Sequence, residues 1–99
     1  MVTGISVEPR LGSGGNISVT TAAVGVNFSV FAPQVACQVT IANNTGTAVE
    51  VQQDGVGVAY PVFSGTYFTF YSLHNVSQLG VRRIDQSGSQ VTVNARWEA

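Results

Sequence analysis

The sequence predicts an all-β protein, a small antiparallel β-sandwich or barrel with an extended N-terminal arm. Three observations lead there. Apolar residues recur at every second position in several short runs, the period of a half-buried strand. Turn-forming clusters of Gly, Asn, Asp and Ser separate these runs at short, regular intervals. No stripe at i, i+3, i+4 persists, while Val and Thr dominate a chain of 99 residues.

Residues 1–15 read as the arm and residues 16–99 as one β domain. The stretch Leu11-Gly12-Ser13-Gly14-Gly15 is entropically costly to order. Val2, Ile5 and Val7 do not suit a free solvated tail, so the arm is expected to dock on a neighbouring subunit. Ile17-Ser18-Val19-Thr20 opens the alternation, and Val24, Val26, Phe28 and Val30 extend it until Phe31-Ala32-Pro33 breaks the run. Cys37, Val39 and Ile41 point to one face, which makes Cys37 an inward thiol. Asn43-Asn44-Thr45-Gly46 has the composition of a hairpin loop.

Val49 and Val51 are assigned to the core, and Asp54-Gly55 reverses the chain into a strand over residues 56–62. Pro61 lacks an amide hydrogen, so that strand is an edge or is bulged there. Ser64-Gly65-Thr66 turns into Tyr67-Phe68-Thr69-Phe70-Tyr71, with Phe68 and Phe70 on one face and Tyr67 and Tyr71 on the other. A single helical turn is expected between Leu73 and Gln78. Residues 79–84 and 90–97 complete the series as two adjacent strands.

Charge is scarce: 9% of the residues carry it, against roughly 25% in an ordinary soluble domain. There is no lysine, and the four basic residues are Arg10, Arg82, Arg83 and Arg96. Four arginines and a net charge of −1 argue against nucleic acid, which needs clustered cations. No stretch near Met1 has the form of a signal peptide, and no run is long and apolar enough to span a bilayer. The expectation is therefore no membrane and no nucleic acid as partner, with a surface that spends its life packed against other protein.

The chemistry-bearing residues are few. His74 is the sole histidine and has no Cys, Asp or Glu at ligand spacing, so no metal or other cofactor is expected. With Cys37 read as inward, a Cys37–His74 dyad would require a coincidence of folding. Asp54 and Asp85 sit in turns, where aspartate caps its own backbone. No acid–base constellation is legible, and an enzyme is not expected.

Two features stand out as interface candidates. Tyr67 and Tyr71 lie on the face opposite Phe68 and Phe70, where they either cover a partner or shield the sheet. Arg82, Arg83 and Arg96 fall on late strands. They form either a solvated edge, with Arg96 bridging to Asp85 or stacking on an aromatic, or bidentate contacts with carboxylates of another subunit. A glycan- or receptor-binding module would instead use Tyr60, Tyr67, Tyr71 and Trp97 as a stacking platform.

From Val39 to Trp97, a little over half of the chain, the order of segments resembles small virion proteins of tailed bacteriophages, especially the capsid cement or decoration class. The segments are Ile41-Ala42-Asn43-Asn44-Thr45-Gly46, Tyr67-Phe68-Thr69-Phe70, Leu79-Gly80-Val81-Arg82-Arg83 and Val91-Thr92-Val93-Asn94-Ala95-Arg96-Trp97. The resemblance implies a β-sandwich on the virion surface that ties capsid subunits together without catalysis. Its partners would be the major capsid protein or other virion subunits, and it would form a homo-oligomer. A tail, neck or fibre-base component would use a similar module.

Overall fold

The computed structural model describes residues 13–99 and is all-β. Eight strands follow in chain order: β1 (Gly14–Thr20), β2 (Ser29–Val30), β3 (Gln38–Asn43), β4 (Val49–Gln53), β5 (Tyr60–Val62), β6 (Thr66–Phe70), β7 (Leu79–Arg83) and β8 (Thr92–Glu98). They form two antiparallel four-stranded sheets, ordered β1-β8-β3-β6 and β2-β7-β4-β5. First pairs with last, second with seventh, third with sixth and fourth with fifth. This nesting is the jelly roll, one long antiparallel ribbon rolled into two sheets. Among the described residues only β4 and β5 are joined as a hairpin within one sheet; every other connection crosses between the sheets.

The alternation seen in the sequence becomes the two faces of each sheet. In the first sheet, Ile17, Ala95, Ile41 and Phe68 form one inward row across four strands. Val39 and Val93 from that sheet, with Val49, Val51, Val62, Leu79 and Val81 from the other, are fully or almost fully buried and make up the centre of the core. Phe31, Leu73 and Val76 close one end of it. Full burial of such a side chain stabilises by about 1.5–3 kcal/mol.

Several expectations change on folding. The Val24–Val30 alternation is a strand only at Ser29–Val30, and Val24 and Val26 are exposed. Those residues carry the chain from one sheet to the other, so no neighbouring strand is available to pair with them. Likewise residues 56–59 are loop, and the strand begins at Tyr60. Asn43-Asn44-Thr45-Gly46 is not a hairpin, because β3 and β4 lie in different sheets. The arm boundary also moves, since Gly14 and Gly15 pair with Glu98 and Trp97 in β1. A Cβ on Gly15 would sit 3.0 Å from the indole Nε1 of Trp97, so the bare backbone makes room for that ring.

Cys37 is exposed. A bend at Cys37 interrupts the period of two: its N–H donates to the Glu98 carbonyl, its carbonyl accepts from the Leu73 N–H, and Ala36 takes the inward place. Other readings match the structure. Pro61 lies on an edge strand opposite Glu50. Asp54 and Gly55 both have positive φ, 58° and 68°, and form the turn that opens the β4–β5 connection, where the Val56 N–H donates to the Gln53 carbonyl. The expected helical turn is a 3-10 turn at Val76–Gln78 with a capping box between Asn75 and Gln78.

Candidate functional site

The two sheets meet along a margin formed by β5 and β6, each the outer strand of its sheet. β5 is short and carries Pro61, which leaves it poorly suited to further pairing. β6 is five residues long, contains no charge and no proline, and among the described residues pairs with β3 on one side only. Its aromatic side chains fall on both faces. Phe70 is buried and Phe68 stands at the rim, 42% exposed. Tyr67 projects from the opposite face with 74% of its surface exposed.

Phe68 reaches across the gap between the sheets. Its ring stacks on Tyr60 of β5, with centroids 5.9 Å apart and an interplanar angle of 12°, and meets Phe70 edge-on at 4.9 Å. Tyr60 also meets Phe70 edge-on at 6.1 Å. These are favourable aromatic geometries, each adding about 0.5–1.5 kcal/mol beyond burial. The three-ring cluster closes the margin, yet Tyr60 and Phe68 remain open to solvent. Phe63, at the β5–β6 turn, is also exposed.

The arginines do not form the expected shared edge. β7 and β8 belong to different sheets, so Arg82 and Arg83 are separated from Arg96 by the core. Each is occupied within the chain. Arg82 Nε donates to Glu50 Oε2 at 2.6 Å, its NH1 donates to the Val26 carbonyl, and its guanidinium lies 4.3 Å from the Phe28 ring centroid. Arg83, not Arg96, pairs with Asp85: Nε and NH2 donate to the two carboxylate oxygens at 3.0 and 2.8 Å, and NH1 donates to the Ser89 carbonyl. Arg96 is exposed and reaches Glu98 at 3.5 Å. Hydrogen bonding from Arg83 and from the Ser87 N–H holds the Asp85 carboxyl below its ordinary value.

Beside Arg96, the outer face of the first sheet is polar. Asn16, Ser18, Thr40, Ala42, Asn94 and Arg96 line an open trough of about 540 Å³. Thr40 also hydrogen-bonds to Thr69 of β6 at 2.9 Å. Tyr67 lies on this face, in register with Ala42. The four-aromatic platform does not assemble there, because Trp97 packs against the core and Tyr60 is stacked in the margin. Val2, Ile5 and Val7 lie outside the described residues.

Cys37 and His74 line one shallow depression with Val35, Ala36, Leu73 and Ala99. No hydrogen bond joins the two side chains, and no carboxylate side chain stands in the lining to orient the imidazole. Among the described residues, no group of three or more His, Cys, Asp or Glu is placed to hold a metal ion. Within the same residues, no helix is long and apolar enough to cross a membrane.

Sequence reading missed the stack between Tyr60 and Phe68, because the approach of β5 to β6 across the gap between the sheets is not a local property. A signal for the open edge was nonetheless present: Ser64 to Ser72 contains no charged residue and no proline. Compared with protein-family models, curated proteins and solved structures, the chain matches none.

Proposed function

We propose that this protein is a non-enzymatic virion structural protein, a cement or decoration subunit that binds an assembled phage capsid and stabilises it. Its partners in this reading are the major capsid protein or other virion subunits and further copies of itself. It would act on the capsid surface after passing through the host cytoplasm, with no cofactor. The supporting observation is that the charge on the described residues is largely consumed inside the chain, while aromatic side chains stand outside. Arg82 and Arg83 are tied to Glu50 and Asp85, whereas Tyr60, Phe63, Tyr67 and Tyr71 are exposed. Such a surface suits burial against protein, since an unpaired charge in an interface is costly and tyrosine and phenylalanine are enriched there.

The jelly roll is compatible with this reading by analogy, being shared by viral capsid domains, lectins and cupins. The mechanism is mechanical. Apolar burial at about 25 cal/mol per Å², less the cost of association, would hold neighbouring subunits together at many symmetric sites. A tail, neck or fibre-base position would use the same surface.

The test is to mix purified protein with assembled phage shells stripped of surface proteins and to pellet the particles. The reading expects saturable, stoichiometric binding and shells that resist heating better. A protein that stays in the supernatant as a stable monomer would sink it. Deleting residues 1–12, which spares β1, tests the arm separately: weaker shell binding with unchanged melting would support a docking role.

A further inference from the structure

We propose that β6 is a self-association edge, pairing antiparallel with β6 of a second copy about a two-fold axis at Phe68. The two four-stranded sheets would then join into one of eight strands. This inference goes beyond the virion reading and needs no shell, because the pairing would form between free copies.

The first argument is a comparison of edges. A strand at the rim of a sheet presents unpaired N–H and C=O groups, and proteins blunt such edges with charge, proline, bulges or very short strands. Here β2 has two residues and β5 has three with Pro61 among them. β1, with seven residues, also lacks charge and proline, but it exposes only the small polar side chains of Asn16, Ser18 and Thr20 and so offers little apolar area to a second copy. By contrast, β6 is five residues long, regular in its pairing with β3, and carries none of those protective features.

The second argument is self-complementarity. Closed two-fold symmetry demands that a surface match itself. An axis at Phe68 sets Tyr67 opposite Thr69 of the second copy, Thr66 opposite Phe70, and Phe68 opposite its own equivalent. Aromatic residues thus face Thr or each other, both favoured cross-strand pairs. With no charge between Ser64 and Ser72, the apposition brings no like charges together.

The third argument is area. Tyr60, Phe63, Tyr67, Phe68 and Tyr71 are 47, 59, 74, 42 and 66% exposed. At ~200 Å² for each aromatic, this leaves about 500–600 Å² of aromatic surface per copy, near the ~600 Å² a side at the lower limit of specific interfaces. A reversible dimer is therefore expected, with a Kd of order 1–100 µM.

Sedimentation velocity of the full chain over a concentration series tests this. The wild type should dimerise reversibly. Tyr67→Lys/Thr69→Lys should raise Kd at least ~10-fold, because each new lysine faces a lysine of the second copy. Tyr67→Glu/Thr69→Lys should restore the dimer, since in this register each glutamate faces a lysine; rescue also shows that the strand tolerates substitution. Asn16→Lys/Ser18→Lys on β1 should leave the dimer unchanged. A wild type that stays monomeric at several hundred micromolar would overturn the proposal. So would a dimer that survives the double lysine variant, one that the Glu/Lys pair fails to restore, or one lost through β1 or through deletion of residues 1–12.

Discussion

Asn43, at the Val62–Thr66 end of the margin between β5 and β6, and the aromatic rings farther along that margin make opposite use of polar and apolar residues. At the first, polar groups point inward and are satisfied. Asn43 is fully buried, and its Nδ2 donates to the Thr47 and Val62 carbonyls at 2.7 Å each. Its Oδ1 accepts from the Thr45 N–H and Oγ1. One side chain thus fastens the end of β3 to β5 in the other sheet. Along the margin, aromatic rings stack on one another and still face water. At Asn43 a polar side chain ties the two sheets together, whereas along the margin apolar groups remain available for another molecule.

Stability and association should therefore be separable by mutation. The largest expected effect is Asn43→Ala, which strands the buried Val62 carbonyl and the Thr45 N–H and leaves the part-buried Thr47 carbonyl with Thr45 Oγ1 alone. It should cost about 3 kcal/mol, a fall of roughly 12–20 °C in Tm for a domain of this size, while Kd for self-association in the folded protein stays unchanged. Differential scanning calorimetry with sedimentation checks both. A small loss of Tm would mean that water replaces the side chain and that the first half of the contrast is wrong.

Arg82→Ala is next. It removes the Glu50 pair, the Val26 contact and the stacking on Phe28 together, at about 2 kcal/mol in denaturant unfolding. Glu50→Gln should cost less, since the other two contacts survive. Tyr60→Ala sharpens the contrast from the other side. Loss of its two ring contacts should lower stability by about 1–3 kcal/mol, and also weaken dimerisation several-fold, because Phe68 loses the ring that holds it at the rim.

The smallest effect concerns Asp85. Its folded pKa is lowered, chiefly by hydrogen bonds from Arg83. Its contribution is then complete above the unfolded value of ~3.9 and fades as pH falls below it through the lower folded pKa. Asp85→Asn should lower stability slightly at neutral pH and flatten the acid limb of the pH–stability curve. The dimer should not respond, because Asp85 lies between β7 and β8, away from the margin.

Much of the fold was legible because it is written in local chemistry. The alternation of Val39 and Ile41 or Val49 and Val51, the Asp54-Gly55 reversal and Pro61 on an edge are all consequences of neighbouring residues. What escaped was the route between sheets. Asn43-Asn44-Thr45-Gly46 has the same composition whether it closes a hairpin or crosses the roll, and only the strands that β3 and β4 each pair with tell them apart. The bend at Cys37 depends on Glu98 and Leu73, both distant in sequence. For the same reason Arg83 and Arg96 read as neighbours, although the connection between their strands passes over the core. Tyr67 and Tyr71 were found as exposed aromatics by alternation alone; that they flank an unprotected edge required the sheet order.

The contrast between the two regions is tested most directly by amide hydrogen exchange, read residue by residue as protein concentration rises. The N–H groups of β6 that face away from β3 should exchange quickly in dilute protein and slow at least ~10-fold once the dimer is populated. Those around Asn43 should be protected equally at every concentration. Exchange in β6 that does not depend on concentration would contradict the account.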